Sequence, residues 1–230
     1  MPTALPLIPQ DKTAYDLIDP AHWNRQESFD FFMKTGTQVH LNASVPFEEM
    51  SHFLATHHLR RFSTILYLLW RCANEVEALR ISAVHHSGKD SPREAVLFRE
   101  LDLSFPVLNR EGIPINTLVH LDPAFETSYQ RITAAIDSIR SGKSENMFAD
   151  GHPCLLASHI PYPFDDCEMT SIHKHMLIPT VIVGTPRKRE GLDVLPVALS
   201  VHHAFADGMD LVAFFKKLEA YFQHPEKVLC

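Results

Sequence analysis

A chain of 230 residues can bury a substantial core, and 45% hydrophobic with 21% charged residues is the composition of a folded globular protein, which excludes the disordered and fibrous classes. A formal net charge of -7 disfavours a nucleic-acid partner, because such partners normally meet a basic face. We read one domain over residues 1–230. The amino terminus lacks a basic segment followed by a sustained apolar run, so no secretory signal is expected. The most apolar stretch, Phe62 to Val76, is broken by Arg71 and Glu75 and is too short to cross a bilayer. A cytoplasmic protein without a membrane partner is the expectation. The four cysteines, Cys72, Cys154, Cys167 and Cys230, are scattered, form no CxxC pair and read as reduced thiols.

After a proline-containing arm, Trp23, Phe29, Phe32 and Met33 recur at helical spacings within residues 22–33, which predicts a short amphipathic helix. Residues 37–43 alternate as a strand, and Pro46 then opens a helix with acidic residues in its first turn. Arg60 to Ala78 reads as the longest helix. Between 79 and 121 the pieces LRISAV, EAVLF and LSFPVLN predict short antiparallel strands. Phe125, Tyr129, Ile132, Ile136 and Ile139 share one helical face, and Gly142 ends that helix. Strands come next at CLLASHI, MLIPTVIV and VLPVALSV, and then a helix whose stripe is Leu211, Phe214, Phe215, Leu218 and Phe222. The class is α+β. VLPVALSV is almost continuously apolar, so both of its faces should be buried.

That strand runs into His202-His203-Ala204-Phe205-Ala206-Asp207-Gly208, just ahead of the last helix. A strand exit is where a rigid scaffold presents reacting groups. Histidine, with an ordinary pKa of about 6.5, can take a hydroxyl proton while neutral. A plainer reading makes the two histidines ordinary members of a set of 15 and Asp207 a helix cap, since His57-His58 and His85-His86 are doublets too. The Asp-Gly at fixed offset after a buried strand favours the chemical reading. A zinc site is disfavoured, because adjacent histidines diverge on a strand.

HHAFADG resembles the HHxxxDG signature of the chloramphenicol acetyltransferase family, and the segment from Trp23 to Phe31 resembles its WxRxExFxF stretch. Ala157-Ser158-His159-Ile160-Pro161-Tyr162 resembles its SxLPW stretch. The three motifs occur in the family's order and the resemblance spans nearly the whole chain. It implies a mixed, largely antiparallel sheet flanked by helices in two layers. It also implies acetyl transfer from acetyl-CoA to a hydroxyl acceptor, without a metal. His203 inherits the general base and Ser158 the oxyanion donor. Arg25 is implied as the partner of Asp207, and His202 as a support for the loop. The resemblance further implies a homotrimer, with each active site at a subunit interface and its groups drawn from facing subunits.

For the donor, Arg60 and Tyr162 stand near family positions that contact coenzyme A; Arg187 to Arg189 is a second basic run, which reads first as a solvated hairpin. Phe31 and Phe32, with the region Glu111 to Asn116, are the candidates for the acceptor pocket, although either phenylalanine could be core. Phe32 stands where the drug-binding enzymes of the family carry a tyrosine, and the loop after it is shorter. The acceptor is therefore open between chloramphenicol, with antibiotic resistance as the role, and an unrelated small alcohol. An inactive trimeric binding protein of the same fold is the alternative from another class.

Overall fold

The computed structural model describes residues 15–85, 93–143, 153–168 and 177–230. Most of the amino-terminal arm, and Met176 at the start of the MLIPTVIV stretch, lie outside them. The elements run β1 (Tyr15–Leu17), α1 (Gln26–Thr35), β2 (Gln38–Pro46), α2 (Glu48–Thr56), α3 (Arg61–Asn74), β3 (Ile81–His85), β4 (Arg93–Phe98), β5 (Asp102–Leu108) and β6 (Pro114–Val119). They continue with α4 (Phe125–Arg140), β7 (Cys154–His159), β8 (Thr180–Val183), β9 (Arg187–Arg189), β10 (Leu192–His202), α5 (Gly208–Gln223) and α6 (Glu226–Leu229). The fold is α+β, with mixed sheets flanked by helices.

The larger sheet has the order β2-β10-β8-β7-β5-β6, and β9 forms a hairpin with the start of β10. β7 lies parallel to β5 and β8, whereas the other pairings of this sheet are antiparallel. β10 pairs with β2 along nine residues and with β8 on its other edge. Residues Val194 to His202 are all buried, as its unbroken apolar run requires. Side chains alternate across a strand, so Val197, Leu199 and Val201 point with Val39, Leu41 and Ala43 of β2 into the main core. Helices α2, α3, α4 and α5 cover that face.

The α5 stripe foreseen in the sequence is intact: Leu211, Phe214, Phe215, Leu218 and Phe222 are all buried. Each such side chain contributes about 1.5–3 kcal/mol when fully removed from water. α4 likewise buries Ile132, Ile136 and Ile139, while Tyr129, at the edge of the same stripe, accepts a hydrogen bond from the Arg60 backbone N–H at 2.9 Å.

One expectation is corrected and another refined. The helix expected over Arg60 to Ala78 stops at Asn74 and is shorter than α4 and α5. The reason is local: Asn74 turns its side chain to Leu101, accepting from its N–H at 2.8 Å and donating to its C=O at 3.2 Å. Val76 is then extended, and a short 3-10 turn, Glu77–Arg80, leads into β3. The strands between 79 and 121 also divide: β3 and β4 join β1 in a separate antiparallel sheet, and only β5 and β6 enter the large one.

The small sheet supports a second apolar cluster, in which Ile81, Ala83 and Ala95 meet Phe29 of α1 and Ala204 and Phe205 of the loop after β10. α1 ends at Gly36, whose φ of 67° is the left-handed conformation that a side chain would strain, and its N–H closes on Phe32 C=O at 2.8 Å. That turn lays β2 beside β10 within two residues.

Phe214 is fully buried where α5 meets the large sheet. Phe214→Ala should lower the unfolding free energy by about 3–5 kcal/mol in a urea titration, the usual cost of deleting a buried aromatic ring.

Candidate active site

His203 immediately follows β10. Its backbone N–H donates to Thr37 C=O at 2.9 Å, which extends the β2–β10 ladder one step beyond the strand. The chain then turns sharply, with Phe205 N–H donating to His202 C=O at 3.0 Å. Ala204 and Phe205 plunge into the second cluster, where Phe205 packs on Phe29 with ring centroids 6.2 Å apart and Phe29 on Trp23 at 5.6 Å. His202 is buried, and its Nδ1 accepts from Ala204 N–H at 3.2 Å. It supports the loop, as expected.

The His203 ring is fixed on two sides. Nδ1 lies 3.0 Å from Ala206 C=O. A carbonyl oxygen only accepts, so Nδ1 carries the hydrogen, and in the neutral ring Nε2 is the atom with a free lone pair. Phe32 stacks on the imidazole at 4.1 Å with an interplanar angle of 25°. Phe31 meets Phe32 edge-on at 5.2 Å and is 60% exposed, which excludes a core role for it.

Arg25 and Asp207 meet as the motifs implied. Arg25 donates through one terminal nitrogen to Asp207 Oδ2 at 2.9 Å and through the other to His203 C=O at 3.1 Å. The guanidinium fork therefore holds both ends of the loop. Asp207 also caps α5: its Oδ1 accepts from Met209 N–H at 2.9 Å, while Asp210 accepts from Asp207 N–H at 2.8 Å in a capping box. The same carboxylate thus caps α5 and pairs with Arg25.

Ser158 lies elsewhere in the same chain. On β7 it stands level with Ile182 of β8, which stands level with Ala198 of β10. From Ala198 to His203 the chain advances five residues, about 17 Å along the sheet, and two strand spacings add about 10 Å across it. One copy of the chain thus carries two groups of candidate residues about 20 Å apart, toward different ends of the sheet. His203, Arg25, Asp207, Phe31 and Phe32 belong to one end.

The other end holds Ser158, Tyr162, which is 71% exposed, and the β5–β6 hairpin around Glu111 to Asn116. It also holds the start of α3, since Phe62 packs on His159 with ring centroids 5.7 Å apart. Burial, and then the charge of Arg61, holds the His159 imidazole below the ordinary histidine value. Arg60 caps α3 but pairs with Asp137 at 2.7 Å, whereas Arg61, the first helical residue, has no side-chain partner among the described residues. Arg187 and Lys188 pair with Asp165 and Asp193, and Arg189 donates to Ser44, so that basic run is a hairpin with its charges engaged. Among the described residues no group of three or more His, Cys, Asp or Glu could hold a metal, and no helix is long and apolar enough to cross a membrane.

The fold is shared with solved structures of acetyltransferases. A solved structure of a chloramphenicol acetyltransferase superposes with a TM-score of 0.79 at 25% identity, covering 90% of this chain and 99% of that one. The dihydrolipoamide acetyltransferase of Azotobacter vinelandii shares the fold at a TM-score of 0.58 and 17% identity, covering 98% and 100% of the two chains. In sequence, the chloramphenicol acetyltransferase of Bacillus pumilus is 24% identical over 212 residues, which is 89% of this chain and 92% of that protein. Residues 13–219 match the sequence model of the family described as Chloramphenicol acetyltransferase. The chain belongs to the chloramphenicol acetyltransferase family and is an acyltransferase.

The Asp207 carboxyl is held below the ordinary carboxylate range, first by the Met209 N–H and, against the opposing effect of burial, by Arg25. Its contribution to stability is complete above the unfolded value of about 3.9 and is lost as pH falls through the lower folded value. In urea titrations Asp207→Ala should be less stable than the parent by about 1 kcal/mol at neutral pH, the usual cost of losing such a cap. The two should converge as pH drops below about 4, and an undiminished gap at about pH 2 would contradict this assignment.

Proposed function

We propose that the protein transfers an acetyl group from acetyl-CoA to the hydroxyl of a small molecule, by direct attack and with His203 as general base. The observation that carries this reading is the contact of His203 Nδ1 with Ala206 C=O, which leaves Nε2 as the basic atom on a partly exposed ring just past the end of β10. The acceptor hydroxyl gives its proton to Nε2 as its oxygen bonds to the thioester carbon. The tetrahedral oxyanion accepts a hydrogen bond from Ser158. Collapse then breaks the C–S bond, and the thiolate leaves with the proton returned by His203. Arg25 and Asp207 act through the loop, holding the imidazole where the hydroxyl arrives.

Because His203 and Ser158 stand too far apart in one chain to share an intermediate, the reading requires two copies, and a homotrimer with each site between neighbours answers that need. Phe31 and Phe32 line the acceptor side. On the donor side, Tyr162 and the start of α3 face the coenzyme; a phosphate there would meet Arg60, if it displaces Asp137, and the uncommitted Arg61. We place the reaction in the cytoplasm, in keeping with the buried thiols of Cys72 and Cys154. The acceptor is chloramphenicol or another small alcohol.

The test is release of free thiol from acetyl-CoA over a panel of alcohols beginning with chloramphenicol. Ser158→Ala should slow turnover about a hundredfold or more while leaving the fold intact, as loss of one oxyanion donor does elsewhere. His203→Ala should be slower still. Thiol release by His203→Ala at the parent rate would sink the proposed base.

A further inference from the structure

The segment Ile160–Glu168 leaves β7 directly after Ser158 and His159 and runs past β8 and the β9–β10 hairpin to the edge strand β2. Its route is pinned in order. At Gly184 a side chain would stand 2.9 Å from Tyr162 C=O and 3.0 Å from the Phe164 ring, so glycine is required for the close approach, and Thr185 N–H donates to that same carbonyl at 3.2 Å. Arg187 pairs with Asp165. Asn42 of β2 then donates to Asp166 Oδ1 at 2.6 Å and accepts from Cys167 N–H at 3.1 Å. Last, His40 Nε2 lies 3.2 Å from Glu168 Oε1.

His40 and Asn42 are two residues apart on β2 and so point from the same face of the sheet, away from the helices. The other edge of the His40 ring reaches into the sheet: Nδ1 is 2.7 Å from the hydroxyl of Ser200, its register partner on β10, which is only 4% exposed. A carboxylate oxygen can only accept, so Nε2 carries the hydrogen toward Glu168, and in the neutral ring Nδ1 accepts from the Ser200 hydroxyl. A five-membered ring with nitrogens on opposite sides is the side chain that satisfies a buried hydroxyl and an exposed carboxylate at once. The core of the sheet is thereby tied to the far end of the segment that starts at Ser158.

We propose that His40 and Asn42 are positioning residues for the donor side of the active site: through Glu168, Asp166 and Cys167 they hold the segment that carries Tyr162 against the sheet. The proposal rests on the acetyl-transfer reading. Asp166 and Glu168, which the anchors grip, are exposed, and contacts to exposed groups add little to stability, so the effect of breaking them should fall on substrate binding and not on folding.

The experiment compares the parent protein with an Asn42→Ala/Glu168→Ala double variant, which frees the segment from β2 but leaves Ser200 its His40 partner. Acetyl-CoA binding is followed by calorimetry, and thiol release by steady-state kinetics. The double variant should raise both Kd and KM for acetyl-CoA about tenfold, with the loss carried by KM and not by kcat and with the melting temperature nearly unchanged. Glu168→Gln, which keeps an acceptor for His40 Nε2, should stay close to the parent. Unchanged Kd and KM in the double variant, or a fall in kcat alone, would overturn the proposal while leaving acetyl transfer standing. Failure of the parent itself to bind acetyl-CoA would overturn both.

Discussion

The pairing of β10 with β2 on one edge and β8 on the other is the constraint on which the rest depends. Because β10 is buried on both faces, bonded on both edges as far as Ser200 and paired with β2 to its last residue, its end is firmly held, and His203 stands one residue beyond it. The ladder continues through His203 N–H to Thr37 C=O before the chain is allowed to turn. The loop between β10 and α5 is only a few residues long, held from both ends by one guanidinium fork and weighted into an apolar cluster by Ala204 and Phe205. A half-exposed ion pair such as Arg25–Asp207 contributes about 0–1 kcal/mol to stability. Its value is directional, since the same fork grips the carbonyl of His203.

The same register has an opposite consequence at the other end. β7 lies parallel to β8, and β8 antiparallel to β10, so the strand that carries Ser158 runs away from His203 and ends level with Val197, midway along β10. No side-chain motion closes a gap of about 20 Å between the two ends, which is the distance that strand geometry implies. Under the proposed reaction, the aromatic surface near His203 and the cationic start of α3 near Ser158 would be complementary halves, and assembly would be a requirement of the chemistry.

Elements with long, unambiguous periodicity were legible in the sequence: the α5 stripe, the Ile132-Ile136-Ile139 face of α4 and the doubly buried β10 stand where their patterns imply. The stop of α3 at Asn74 was not, because it depends on a side chain reaching Leu101, far away in sequence. The separation of β3 and β4 from the large sheet was equally hidden, since strand propensity does not say which edge a strand joins. At the site, the motifs brought Arg25 to Asp207 correctly, and the alternation of β2 contained His40 and Asn42 without marking them. Those two residues stand out only through the approach of Asp166, Cys167 and Glu168, more than a hundred residues later in the chain. The stacking of Phe32 on His203 was likewise beyond reach of spacing, although Phe32 itself was singled out.

The most direct test of a site divided between two copies is complementation. His203→Ala supplies an intact Ser158 end and Ser158→Ala an intact His203 end, so each variant alone is nearly inactive. When equal amounts are unfolded together and refolded, every mixed trimer contains one complete site, and thiol release should recover to about a quarter of the parent rate under random assembly. Activity no greater than the sum of the two separate variants would contradict a site shared between subunits.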